Sequence, residues 1–435
     1  MALKSYYETQ YGLRGNPFPG KATYGEDSQR VYVPEMFGEQ RMEFLRKFVL
    51  APLENGQPVL GAVWSVVPGD PEARGFGKST LMGEEAKLIN RDFGLSTLQL
   101  LGTPEDEARA NPILAGYVSF NTKAYGGISS MDSAAFHLMR FILRSADASG
   151  TTTHRRLRER AAAKLVADGR AAQDQESNAL VDAVKARFRG LAVSIDIRNL
   201  LEEFLFHLAS ADSEALDKFL ADEVSSWHHD RNGLKYLQIL VVFAELAGIE
   251  QVTFFVDQVE DFTSQSGAAK IQKNVKIIRD ALLESEPFAS RASFVFQLHP
   301  AAWDRLGDAW RHEDLRSLGW DEPLNASSVV VLKGLETFDS AQMLADRCLN
   351  VPEVGLPTRK PGISPFSESA LKRVWEATKP RPRYFLRVLH DILALGKDEK
   401  QPVLDEAFVQ PKIEGLAARA KEADAETDSG DDRLA

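Results

Sequence analysis

The string Pro68-Gly-Asp-Pro-Glu-Ala-Arg-Gly75-Phe-Gly77-Lys78-Ser79-Thr80 joins an apolar run to a stretch of helical spacing. Its residue types suit an oxyanion. Glycine lets the backbone curl where a Cβ would collide with a phosphate. The start of a helix offers unpaired N–H groups, and its dipole favours negative charge there. In that setting Lys78 can reach β and γ phosphate oxygens, and the Ser79 hydroxyl can join the coordination shell of Mg²⁺. The spacing departs from the usual form of such a loop. A glycine is expected five positions before Gly77, where Glu72 stands; Gly69 lies eight before it, so the loop reads as expanded by three residues. The competing reading is a plain glycine-rich turn with an incidental Lys-Ser pair. The coincidence of strand, Gly-Lys-Ser-Thr order and helix tells against it.

A second constellation is Gln251-Val-Thr-Phe-Phe-Val-Asp257-Gln258-Val259-Glu260-Asp261. An apolar strand that ends in an acid delivers a carboxylate to the rim of a sheet, where ligands bind in open α/β folds. Asp257 suits a Mg²⁺-bound water, and a second carboxylate nearby could orient and deprotonate an attacking water. Acids are common in first helical turns for dipole reasons alone. Pairing with the glycine loop is what gives this strand end its chemical reading.

Strands and helices must position these groups. Apolar runs predict strands at Val59–Val67, Leu114–Asn121, Gln251–Asp257, Ser293–His299 and Ser328–Leu332, and helical spacing marks Gly38–Leu53 and Lys78–Arg91. Strands alternating with helices imply a parallel sheet with helices on both faces. Between Asp132 and about Lys235 only helix formers occur, in long blocks. Beyond Asp339 the pattern is helical again, over Ser340–Leu349, Ser367–Thr378 and Arg383–Leu395. Lys421–Ala435 carries six acidic residues and no aromatic, the composition of a disordered tail.

The two motifs, with a strand between them in sequence, resemble the additional-strand P-loop ATPases of the AAA+ and STAND group. The lead-in Asn16-Pro17-Phe18 resembles the segment preceding the phosphate loop in relatives of origin-recognition and transposition-helper ATPases, while Asp257-Gln258-Val-Glu260-Asp261 is closer to the STAND signalling ATPases. The resemblance implies an α/β, parallel-sheet P-loop NTPase core of the additional-strand type, with a large helical insertion and a C-terminal helical lid. It implies ATP and Mg²⁺ as ligands, with Gly75, Gly77, Lys78, Ser79 and Thr80 around the phosphates and Ser79 and Asp257 on the metal. Gln258 stands where the AAA+ acidic pair has its second acid, so Glu260 is the first candidate for the base and Asp261 the second. The fourth strand offers Gln297 or His299 as a γ-phosphate sensor. Lys379-Pro-Arg381-Pro382-Arg383-Tyr384 is similar to the Pro-Arg sensor that opens a lid helix, which gives Arg383 a phosphate contact. Arg316, with Arg311 as second choice, lies where related ATPases present an arginine finger to a neighbour, which implies a homo-oligomer. The expected layout is an irregular lead-in over 1–37, a core over 38–335 with its insertion at about 130–235, a lid over 336–420 and an acidic tail over 421–435.

Composition bounds the rest. The 435 residues are 44% hydrophobic and 26% charged, the balance of a folded chain of two or three domains. Residues 1–21 lack the apolar core of a signal peptide, and no run approaches a membrane span, so a cytoplasmic protein without membrane contact is expected. The single cysteine, Cys348, can form neither an internal disulfide nor a thiolate zinc cage. A net charge of −11 argues against bulk coating of nucleic acid. The basic cluster Arg155-Arg156-Leu-Arg158-Glu-Arg160 reads first as a solvated helix face and second as a contact to DNA or a protein partner. Three functions compete: an ATPase that assembles and remodels a partner, a slow-hydrolysing switch in a signalling or antiviral defence complex, and, last, a small-molecule kinase.

Overall fold

The computed structural model describes residues 5–20, 31–70, 73–120, 131–170, 172, 176–189, 196–210, 212–221, 223–259, 268–357, 359 and 362–429, with the backbone alone at 189, 196–201, 221, 223–231 and 423–429. The chain packs as two compact units. One comprises Met42–Trp64 and Met82–Val331; the other comprises Met1–Arg41, Ser65–Leu81 and Leu332–Ala435.

Five parallel strands form the sheet: β1 (Leu60–Ser65), β2 (Ile113–Ser119), β3 (Gln251–Asp257), β4 (Ala292–Leu298) and β5 (Val329–Leu332). Their order is β2-β3-β4-β1-β5. The chain is thus α/β with a parallel sheet, and one strand, β4, stands between β1, which leads into the glycine loop, and β3, which ends in the acid. Every residue of β3 is buried, as its β-branched and aromatic sequence requires of a strand covered on both faces. Phe254 and Phe255 have no exposed surface, and each such ring contributes roughly 1.5–3 kcal/mol of burial.

Helix α1 (Lys78–Asp92) follows the glycine loop. In the described residues of the long block between β2 and β3 the long regular elements are helices: α2 (Met131–Arg144), α3 (Thr153–Ala167), α4 (Glu176–Arg189), α5 (Asp196–Ala209), α6 (Ser213–Ala221) and α7 (Glu223–Leu246). It is not one uniform insertion. Helix α2 packs on β2 and, more extensively, on α7. The α2–α7 crossing depends on Gly233, where a Cβ would lie 1.8 Å from the Asp132 carbonyl oxygen. Leu234 N–H donates across the same contact to Asp132 Oδ1 at 3.0 Å. The helix run therefore extends past the expected end near Lys235 to Leu246, and the apolar run Ile239–Ala244 is its buried end.

Helix α8 (Pro300–His312) follows β4. The other unit contains α9 (Phe338–Leu349), α10 (Glu368–Thr378), α11 (Pro382–Asp398) and α12 (Ile413–Ser429). Thr337 and Ser367 cap the first two, their hydroxyls accepting from Ser340 and Ala370 N–H at 3.2 Å each. Helix α12 continues to Ser429, into the stretch whose composition suggested a tail; residues 430–435 lie outside the described residues. The Asn16-Pro17-Phe18 lead-in is fixed on α11: Asn16 Nδ2 donates to the His390 carbonyl at 2.8 Å, and Asn16 Oδ1 accepts from Phe18 N–H at 3.1 Å. Cys348 is buried, and burial pushes its thiol up to about 12. Among the described residues no helix is long and apolar enough to cross a membrane.

Candidate functional site

The glycine loop belongs to the unit that holds the C-terminal helices. Gly69, Gly75 and Gly77 have φ values of 76°, 81° and 83°. The last two place a left-handed backbone immediately before α1, a conformation that other residues adopt only under strain. At Gly77 a Cβ would come within 3.1 Å of the Phe37 ring, and at Gly75 within 3.0 Å of Arg383 Cβ. Lys78, the first residue of α1, is 5% exposed, and its Nζ donates to Ser65 Oγ. Ser65 Oγ in turn donates to the Ala73 carbonyl at 2.5 Å. The two ends of the loop are thereby tied through one serine, a partner for Lys78 that the sequence motif does not specify. Ser79 and Thr80 follow in the first turn of α1, half-buried.

Two described residues of the expanded stretch, Asp70 and Ala73, make contacts of their own. Asp70 N–H donates to the Val67 carbonyl at 3.0 Å, closing a tight turn over Pro68-Gly69. Asp70 Oδ1 accepts from Ala73 N–H at 3.1 Å, and its other oxygen forms an ion pair with Arg381 Nη2. Arg383, the expected phosphate contact, donates its backbone N–H to the Gly75 carbonyl at 3.3 Å. Leu335 N–H donates to the Pro380 carbonyl at 2.7 Å. Within this unit, then, the Pro-Arg segment that opens α11 lies against the glycine loop, with Arg381 on Asp70 and Arg383 on Gly75.

In the sheet unit, Asp257 ends β3 and is 1% exposed. Tyr117 Oη, from β2, donates to Asp257 Oδ2 at 2.8 Å, and Phe120 N–H donates to the Asp257 carbonyl at 3.0 Å. Ser119 pairs with Asp257 in the β2–β3 register, and Val63 pairs with Gln297 in the β1–β4 register. Because Val256 pairs with Phe296, Gln297 falls in the next row, beside Asp257. Residues in one row of a parallel sheet share a face. His299, the alternative to Gln297, caps α8 instead: its Nδ1 accepts from Ala302 N–H at 3.3 Å. Gln258 holds a left-handed φ of 54°, and its Oε1 accepts from Ser119 Oγ at 2.9 Å. Glu260 and Asp261 lie outside the described residues. Tyr117 and Ser119 carried no sequence signal. Only strand pairing brings them to the acid, and pairing is invisible in a motif.

Arg316 is exposed on the sheet unit, its Nη2 donating to Ser327 Oγ at 3.0 Å and to the Leu324 carbonyl at 3.4 Å. Arg311 is exposed and paired with Asp308 at 2.6 Å. The basic cluster of α3 is neither a solvated face nor an open patch. Arg156 donates to the carbonyls of Asn90 and Arg91 at 2.6 and 2.7 Å, and its guanidinium lies 4.6 Å from the Phe93 ring centroid. Arg158 donates to the Ala209 carbonyl and Arg160 to that of Ala247, each at 3.3 Å. Only Arg155 is exposed, in an ion pair with Glu159. Three of the four arginines serve the ends of other helices. Among the described residues no group of three or more His, Cys, Asp or Glu could hold a metal by itself.

No protein-family model and no curated protein matches the chain. Two solved structures similar to it are forms of the Aeropyrum pernix ORC2 protein. The ADPNP-ADP complexes align at a TM-score of 0.40 and 11% identity, over 87% of this chain and 66% of that one. The ADP form aligns at 0.40 and 10%, over 92% and 73%. The chain thus spans about two thirds to three quarters of the length of those proteins.

Proposed function

We propose that the chain binds Mg-ATP through its glycine loop and hydrolyses it, coupling the nucleotide state to assembly with further copies of itself and to remodelling of a protein or DNA partner in the cytoplasm. The observation that carries this reading is the left-handed pair Gly75 and Gly77 leading directly into α1, with the buried Lys78 tied across the loop to Ser65. In this reading the loop N–H groups and Lys78 hold the phosphates, Arg383 adds a charge and Gln297 senses the γ-phosphate. Ser79 and Asp257 are oxygen donors of the kind a hard cation takes while keeping waters and phosphate oxygens in its shell. The metal would neutralise charge on the phosphates. Glu260 would orient and deprotonate the attacking water. The core then corresponds to 38–335, with an insertion at about 130–235, a lid at 336–420 and a tail beyond.

A second reading, a switch that binds ATP and turns it over very little, is favoured by Gln258. The residue after the acid carries an amide hydrogen-bonded to Ser119 and offers no base. Titration calorimetry with ATP tests the common ground of both. Lys78→Ala is expected to abolish tight binding, and unchanged affinity would sink the assignment. Turnover by the parent chain, with and without DNA, separates the two readings.

A further inference from the structure

We infer that Asp70 and Arg381 form a latch that holds the glycine loop against the start of α11 and thereby sets how long a nucleotide stays bound; this rests on the proposed nucleotide reading of the loop. Asp70 is made reachable by the loop's expansion. The turn closed by Asp70 N–H on the Val67 carbonyl fixes the residue that bears the carboxylate, and its two oxygens then do different work. One accepts from Ala73 N–H and holds a non-glycine residue at a φ of 39°; the other pairs with Arg381. Arg381 is itself fixed, its Nη1 donating to Tyr384 Oη at 2.6 Å and its guanidinium lying 4.8 Å from the Tyr384 ring centroid and 6.0 Å from that of Phe76.

The pairing also answers an electrostatic problem. Arg381 occupies the N-cap position of α11, where no side chain caps the helix, and Arg383 lies in the first turn. Cations at a helix N-terminus oppose the dipole. The Asp70 carboxylate supplies the negative charge that this end needs, from the loop rather than from the helix. Arg381 is 13% and Asp70 30% exposed, so solvent screens the pair only in part, and it does so from the Asp70 side. Closure keeps Arg383 N–H on the Gly75 carbonyl, and hence the loop backbone in the conformation that precedes Lys78. Asp70 and Arg381 are thus positioning residues, which act on the ligand through the loop.

The experiment follows release of a fluorescent ATP analogue from the full chain by stopped flow, for the parent, Asp70→Asn, Arg381→Gln and the double variant. Each single variant is expected to release nucleotide about tenfold faster, the scale of one charge-assisted hydrogen bond. The double variant is expected to be no faster than either, because a shared interaction is lost only once. Unfolding temperatures like the parent's would show that release, and not folding, has changed. Two results overturn the inference while the nucleotide reading stands: release unchanged in Asp70→Asn, or additive effects in the double variant, with Lys78→Ala abolishing binding. If the parent itself fails to bind, the nucleotide reading falls and takes the latch with it. That failure appears in the parent, so the two cannot be confused.

Discussion

The carboxylate of Asp257 shows how much a single neighbour can decide. A buried acid needs a hydrogen-bond donor, and Tyr117 provides one from the adjacent strand at 2.8 Å. The bond orients Oδ2, and in the proposed reading it would hold the carboxylate ready for a metal-bound water. Tyr117→Phe keeps the ring and its packing against Phe141 while removing the donor. It is expected to raise the Mg²⁺ concentration that half-saturates the enhancement of ATP binding by about tenfold, equal to about 1.4 kcal/mol, with metal-free ATP affinity unchanged. Parent-like Mg²⁺ dependence would mean that the tyrosine only fills space. The places of Asp257 at a strand end and of the glycines and Lys78 at a helix start were legible in the sequence because they depend on neighbours in the chain. Tyr117, Ser65 and Asp70 were not, because each acquires its partner through folding.

At the scale of elements, polar contacts at helix ends tie the helices between β2 and β3 to one another and to α1, alongside their apolar packing. Arg156 satisfies two of the carbonyls that α1 leaves without partners at its C-terminus, where a cation also suits the dipole. His154, on the same helix, is 1% exposed; its Nε2 lies 2.9 Å from the Leu208 carbonyl and its Nδ1 3.2 Å from Ser213 Oγ, so it joins α3 to α5 and α6. Burial lowers its pKa below the ordinary histidine value, with Arg158 acting the same way and the Leu208 carbonyl and Asp217 opposing. The unfolded chain therefore binds the proton more readily. The histidine's contribution is present above about pH 6.5 and is lost as pH falls through the folded value. Urea midpoints measured at pH 7.5, 6.5 and 5.5 are expected to drop on acidification in the parent and to drop less in His154→Gln. Equal slopes would remove His154 from the account. The positions of these helices were legible from composition. Their division was not, because apolar spacing looks the same whether a helix covers the sheet, as α2 does, or packs on other helices.

For the molecule as a whole, the question is whether one chain suffices. Arg316 is exposed, yet its guanidinium is braced by Ser327 and the Leu324 carbonyl, so it is presented in a defined direction. If it completes the site of a neighbouring copy, mixing Lys78→Ala with Arg316→Ala chains is expected to restore part of the ATPase activity that each lacks, since some interfaces pair one intact lysine with one intact arginine. Trans arginines of this kind contribute roughly 10³–10⁵ in rate, so even a minority of restored interfaces would register. No recovery from chains shown to co-assemble would confine the arginine to its own subunit. A different consequence follows from the way one unit is assembled from Met1–Arg41, Ser65–Leu81 and Leu332–Ala435. On the ribosome the glycine loop emerges ahead of the sheet unit's later strands, but the α11 segment it packs with is made only after the whole of 82–331. At about 5–20 residues per second that delay is roughly 10–50 s, during which the sheet unit can fold while the loop waits. Nascent chains stalled before residue 332 should accordingly ignore ATP, and chains extended through α11 should be the first to hold it.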